Sequence, residues 1–430
     1  QGQAPAMGLA IFCERRRVII EGYGSADADT PMRWGSITKS FTGLAGLRLV
    51  EATDLTLDDP VRPILGDGYY LNPWAATQPI RIESLLALSA GLPDLTREEW
   101  NDNEPLPLWQ ALGRHQSERR TLWPPGLQHS YSNVPPGLTA AVIERRSGIS
   151  FERFVAARIF EPLGMASASL HPIPGLPGGY QSDGSTEIPY WHVTFRGFGA
   201  LNASTRDMSR FVDMLVNNGR LEGERVLSED LIERFFAPQG SLGSAAGLEV
   251  GYGAGVYGWV RHGQLFHGHG GDADGYRSRY GILRNHGRAY LLVINTDNPH
   301  LLGRMRRILE ETLTTDLPVP TPPAPRADPL DAYEGDYYPS SARFDNDSWR
   351  AGGKSRVTVR AIGNVLHFEQ DGEVIELKPA GNGRFLRAGD PAITVVFAHD
   401  AAGSFYLQGE LGNFVRISPG PCPDFLPLCE

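Results

Sequence analysis

Lys39 is the only lysine among the first 353 residues of a 430-residue chain that carries three lysines and 37 arginines. It stands three residues after a serine, in Trp34-Gly35-Ser36-Ile37-Thr38-Lys39-Ser40-Phe41-Thr42. A guanidinium keeps its proton inside a protein, whereas an ammonium loses it when its surroundings disfavour charge. A neutral amine beside a hydroxyl can take the hydroxyl proton and leave a nucleophilic oxygen. Lysine kept here, in a chain that otherwise writes arginine, points to Ser36 as nucleophile and Lys39 as its base. The competing reading is a stray surface lysine in an arginine-rich composition.

Two further segments carry chemistry. In His129-Ser130-Tyr131-Ser132-Asn133 the phenol of Tyr131 can shuttle a proton, and the amide of Asn133 can orient an amine and a substrate carbonyl. In His267-Gly268-His269-Gly270-Gly271-Asp272 the glycines let a backbone strand approach a ligand closely. A main-chain N–H from that strand, with the Ser36 N–H, would make an oxyanion hole. Metal binding through His267 and His269, with His262, is the rival. No acidic or cysteine residue is spaced to complete a tetrahedral set, so no metal and no cofactor are expected. Gly253-x-Gly255-x-x-Gly258 fits a dinucleotide pattern but opens no helix, and no Gly-x-Ser-x-Gly elbow occurs.

These residues need a scaffold. Apolar periodicity predicts a helix from Ser36 to about Val50, which puts Ser36 and Lys39 on one face near a helix N-terminus, where negative charge is favoured. Further helical patterns cover 81–89, 137–147, 151–160, 205–218, 228–236 and 301–314, with Ser228 and Ser204 or Thr205 as helix starts. Strand patterns cover 8–13, 17–23, 256–261, 264–268, 276–283 and 289–295. Strands at both ends with helices between them predict one antiparallel sheet, completed by the N-terminal hairpin. Tyr190-Trp191-His192 and Phe195 read as packing rather than pocket lining. Residues 316–329 are proline-rich and read as a stiff linker. After it, residues 330–430 alternate in short runs joined by glycine turns, the pattern of an up-and-down meander that closes as a small barrel. The expected organisation is therefore an α/β (α+β) domain over 1–315, a linker over 316–329 and an all-β barrel over 330–430.

The formal net charge is −10, without a basic block, so no nucleic-acid partner is expected. No apolar run approaches the roughly 18 residues a membrane-spanning helix needs. Cys422 and Cys429 flank a short proline-rich loop, a pattern that suits a disulfide and an oxidising compartment. Cys13 lies in an apolar run and reads as core. The chain opens on Gln1, as after removal of a targeting segment or trimming of the numbering. A periplasmic or secreted protein is expected.

The three motifs, in this order, resemble those of the penicillin-binding-protein-like serine hydrolases, the group of class C β-lactamases, D-aminopeptidases and esterases. Leu57-Asp58-Asp59-Pro60-Val61, Ser89-Ala90-Gly91-Leu92-Pro93 and Ile159-Phe160-Glu161-Pro162-Leu163-Gly164-Met165 also look like that family. The resemblance covers most of residues 7–314. It implies Ser36 as nucleophile, Lys39 and Tyr131 as the base system and Asn133 as orienting group. His269, Gly270 and Gly271 match the third motif, and the Asp272 N–H matches its oxyanion donor. It implies a helical insertion over the site, and the terminal β-domain resembles the lipocalin-like barrel appended to some members. Penicillin-directed members begin the third motif with lysine; a histidine is mostly neutral at pH 7 and leans the reading away from β-lactams. The expected activity is acyl-enzyme hydrolysis of small amides or esters, first of all D-amino-acid peptides. Alternatives are a carboxylesterase with weak β-lactamase activity and a non-catalytic sensor of peptidoglycan fragments. The expected partner is a small molecule or short peptide, and assembly into a homo-oligomer is left open.

Overall fold

The computed structural model describes residues 4–321, 328–341, 343 and 356–418. Cys422, Cys429 and the middle of the proline-rich stretch lie outside them.

Six strands make one antiparallel sheet: β1 (Ala6–Cys13), β2 (Arg16–Gly24), β3 (Tyr257–Arg261), β4 (Gln264–Ala273), β5 (Tyr276–Leu283) and β6 (Arg288–Ile294). Their spatial order is β3-β4-β5-β6-β1-β2. Met7 pairs with Ile294 and Phe12 with Ala289, so the N-terminal hairpin is zipped onto the last strand. The hairpin turns at Glu14 and Arg15, with φ of 49° and 62°, the left-handed pair that matches strand twist. β6 is apolar without alternation because both its faces are covered. Ala289, Leu291 and Val293 join the main core, while Tyr290 packs with Leu309 and Leu313.

Five longer helices flank the sheet: α1 (Thr38–Ala52), α2 (Val134–Ser147), α3 (Thr205–Val216), α4 (Glu229–Phe236) and α5 (Pro299–Thr314). α1 is buried almost all round and forms the axis of the helical layer. Phe41 of α1 stacks on Phe211 of α3 with ring centroids 4.2 Å apart. Pro135 and Pro136 fall in the first turn of α2, where a missing N–H costs nothing, and Gly148 ends it with φ of 72°. The Ser204 hydroxyl accepts from Asp207 N at 3.1 Å and starts α3. The helical pattern over 81–89 is cut to Ile82–Leu86, because Leu88 and Gly91 take positive φ and turn the chain toward Asp94. The pattern over 151–160 loosens into a π-turn from Ala156.

Eight strands close the C-terminal barrel: β7 (Gly335–Pro339), β8 (Val357–Ile362), β9 (Val365–Gln370), β10 (Glu373–Gly381), β11 (Arg384–Arg387), β12 (Val395–His399), β13 (Phe405–Gly409) and β14 (Gly412–Ser418). Each strand pairs antiparallel with the next, and Tyr338 against Val415 closes the ring. Tyr337, Phe368, Phe385, Phe397 and Phe414 help to fill its interior. The barrel is docked on the sheet-and-helix unit. Trp123 and Leu127 pack on Tyr406 and Val415. Leu248 packs on Leu386 and Val396, and Val250 on Ala392. Gln408 accepts from Gly243 N at 2.7 Å and donates to Leu127 O at 2.9 Å.

Candidate active site

Ser36 lies in a 3₁₀ turn (Gly35–Ile37) that leads into α1, and Lys39 is in the first turn of α1. The turn is pressed against β4. Gly35 has φ of 52°, and a Cβ there would stand 2.5 Å from Asp272 O. A Cβ on Gly271 would collide with Trp34 O, and Ser278 Oγ donates to that same carbonyl at 2.9 Å. Two glycines thus allow the serine turn and the third motif to touch backbone to backbone, which brings Asp272 next to Ser36 in space. Gly255 does the same behind the helix, where a Cβ would strike Lys39 O. This is the structural use of the glycine pattern around 253–258.

The Lys39 amine donates to Ser36 Oγ at 3.0 Å and to Phe198 O at 3.0 Å. It is 2% exposed. Burial draws its pKa from 10.5 down to about 7; Asp94 and Asp272 push it up, and Arg343 pushes it down. Tyr131 is hydrogen-bonded to Ser36, yet burial holds its phenol well above the ordinary value. The amine of Lys39 is 4.8 Å from the centre of the Tyr131 ring. Asn133 precedes α2. Its backbone N–H donates to Asp94 Oδ1 at 2.8 Å, and its Nδ2 to Asp94 Oδ2 at 3.3 Å. Its Oδ1 is buried without a partner among the described residues.

His269 stands on β4 with its ring 6.3 Å from Tyr131, 5.9 Å from Tyr252 and 5.3 Å from Tyr257. Nδ1 lies 2.5 Å from Gly270 O and Nε2 lies 2.8 Å from Tyr252 Oη. A carbonyl can only accept, so Nδ1 carries a proton. Burial, aided by the Lys39 charge, lowers the ring's pKa to about 3, so at pH 7 the ring is neutral and Nε2 accepts from the tyrosine. His267 does not join the cluster. It packs on Phe236 at 5.3 Å. Tyr190 instead carries Arg33 over its ring, and Phe195 is buried against Gly137, so both pack rather than line the cleft.

β3 pairs only with residues 264–268 of β4, and no described strand covers that edge over 269–273. His269, Gly270, Gly271 and Asp272 line a cleft of about 740 Å³ together with Ser36, Tyr131 and Asn133. A free strand edge beside a nucleophile can take an extended substrate backbone. Sequence reasoning missed Asp94, Tyr252 and Tyr257, and it missed the barrel's share. Arg343, Gln408, Gly409 and Asn413 form part of the cleft wall. Asn413 donates to His129 O at 2.7 Å. Asp94 directly follows the Ser89–Pro93 segment, which was a usable signal. Arg343 stands among other arginines with none.

The family model described as "Beta-lactamase" matches residues 1–314. A beta-lactamase of Yersinia enterocolitica is 26% identical over 270 residues, covering 59% of this chain and 65% of that protein. Protein flp of Staphylococcus aureus (strain N315) is 25% identical over 236 residues, covering 50% of this chain and 46% of that protein. The chain thus spans less than two thirds of these relatives' lengths. Among solved structures, an octameric penicillin-binding protein homologue from Pyrococcus abyssi superposes with TM-score 0.58 at 21% identity, covering 96% of both chains. The structure of SurE with D-Leu superposes with TM-score 0.60 at 20% identity, covering 96% of this chain and 95% of that one. These two share the fold across the sheet, the helices and the barrel.

Proposed function

The chain belongs to the beta-lactamase family, and on that premise we propose that it is a serine hydrolase that forms an acyl-enzyme on Ser36. The observation that carries this reading is the buried Lys39 amine, 3.0 Å from Ser36 Oγ and with a pKa of about 7. At neutral pH a large share of Lys39 is an unprotonated amine able to take the serine proton. Tyr131, whose phenol is raised, stays neutral and serves as a proton carrier rather than as the resting base. The Ser36 oxygen attacks the carbonyl, and the Ser36 and Asp272 N–H groups receive the oxyanion. The leaving amine or alkoxide takes a proton from Lys39 through Tyr131. Water then releases the acid.

D-amino-acid peptides and amides are the first substrate class and simple esters the second. The neutral His269 ring offers no charge for a carboxylate beside the scissile bond. A likeness to SurE solved with D-Leu adds weight to the D-configured choice. The cysteine pattern supports an exported protein. The test is a burst of chromophore from an activated ester, with intact mass showing one acyl adduct lost in Ser36→Ala. A non-catalytic sensor would bind without burst or adduct.

A further inference from the structure

We infer that Arg343, carried by the barrel, is a positioning residue of the catalytic site: it holds Asp94, and through Asp94 it fixes Asn133 and balances the charge beside Lys39. This rests on the acyl-enzyme reading above. Arg343 lies between β7 and β8, and its Nε donates to Asp94 Oδ2 at 2.9 Å. Its carbonyl accepts from Asp94 N at 2.6 Å, so backbone and side chain grip the same residue. The Asp94 side chain is fully buried. Its other contacts run to Leu95 N, Asn133 N and Asn133 Nδ2. The Arg343 guanidinium is also 5.1 Å from the centre of the Tyr131 ring, the ring that the Lys39 amine approaches at 4.8 Å. A buried carboxylate without its cation acts more strongly on the other charges around it, and Asp94 already favours the ammonium of Lys39.

The sign follows. The charged or titratable groups facing Lys39 are Asp94, Asp272, Arg343, Tyr131 and His269. Asp94 favours the ammonium and Arg343 disfavours it. His269 is neutral and Tyr131 is neutral, so neither changes charge near pH 7. Removing the guanidinium leaves Asp94 unopposed, and Lys39 then holds its proton to higher pH. The barrel thereby sets the working pH of a base in the other unit.

The test reads Lys39 directly. With three lysines in the chain, incorporation of carbon-13-labelled lysine gives at most three Cε signals, and Lys39→Arg assigns one of them. In Arg343→Met the Lys39 midpoint is expected to rise by about half to one pH unit, since the Arg343 side chain is 46% exposed and solvent screens part of its charge. In Arg343→Lys, which keeps the charge, it stays within a few tenths of wild type. The ascending limb of kcat/KM for a neutral ester moves with the midpoint, so the activity lost at pH 7 returns at pH 9. An unchanged midpoint in a folded Arg343→Met, checked by thermal melting, overturns the proposal. So does a uniform activity loss at all pH values, which marks a structural role only. Because the lysine signal needs no turnover, the two failures are told apart: a protein that never acylates refutes the hydrolase reading and the catalytic role built on it, whereas an unmoved Lys39 midpoint refutes the Arg343–Asp94 link alone.

Discussion

A lysine amine with 2% exposure stays an ammonium only at a cost in solvation, and the Lys39 pKa of about 7 states that cost. The kcat/KM profile is therefore expected to climb through about pH 7 as the ammonium empties. Lys39→Arg keeps the charge but cannot release it, so it should damage turnover as much as Lys39→Ala. Recovery of most activity by arginine would show that the residue acts as a cation. Stability carries the same signature. Between about 7 and 10.5 the unfolded chain binds this proton and the folded chain does not, so stability contributed here rises with pH across that window. Below it both states are protonated and the full cost of burying the ammonium remains. Lys39→Met should therefore raise the denaturation midpoint more at pH 6.5 than at pH 9. Ser36→Ala, at a partly exposed turn, should abolish turnover by orders of magnitude with an unchanged melt. Burial keeps His269 neutral beside Gly270 O and Tyr252, so no cation from the third motif meets a substrate carboxylate. A hydrogen-bonded charge of that kind contributes about 1.5–3 kcal/mol. Small esters or D-amino-acid amides should thus exceed benzylpenicillin in kcat/KM by about 10–150-fold. Benzylpenicillin as the fastest substrate would replace this assignment with a plain β-lactamase.

At the scale of elements, the site depends on two pieces of backbone in contact, the Gly35–Ile37 turn and the free half of β4. Gly271→Ala must move Trp34 or the strand, and Gly35→Ala must also hold φ of 52°. Both should lower the melting temperature and cut kcat/KM by more than tenfold. Gly113→Ala has nothing within 4 Å and negative φ, and it should be silent. The helices and strands that frame this contact were readable from period alone, because each is amphipathic or buried at its own repeat. The sequence pattern placed β4 over 264–268, yet it runs on to Ala273. Its glycines hide the alternation that marks a strand, and these are the residues that give the edge its access. The pattern over 81–89 misled in the opposite way. Its apolar spacing continues past Leu86, but Leu88 at φ of 52° ends the helix and delivers Asp94. Local periodicity does not record where a chain must turn to meet a distant partner.

At the scale of the whole molecule, the sheet-and-helix unit has its own large core, whereas the barrel meets it through three small apolar clusters, a set of hydrogen bonds and the Arg343–Asp94 ion pair. A fragment of residues 1–316 should therefore still unfold cooperatively. It should also bind an apolar dye, since Trp123, Leu127, Leu248 and Val250 lose their cover. What a domain boundary in the sequence could not show is that the barrel reaches into the cleft. Arg343 and Asn413 lie more than 200 residues from the segments they touch, His129–Asn133 and Asp94. Only the docked arrangement reveals that link. Deleting the barrel removes the Asp94 counter-ion along with the cleft wall. The fragment should show weak ester hydrolysis whose pH profile has moved to the alkaline side. Addition of a separately folded barrel should shift it back. Loss of all cooperative unfolding would refute the boundary. A fragment with wild-type rate and wild-type profile would reduce the barrel to a passive neighbour of the site.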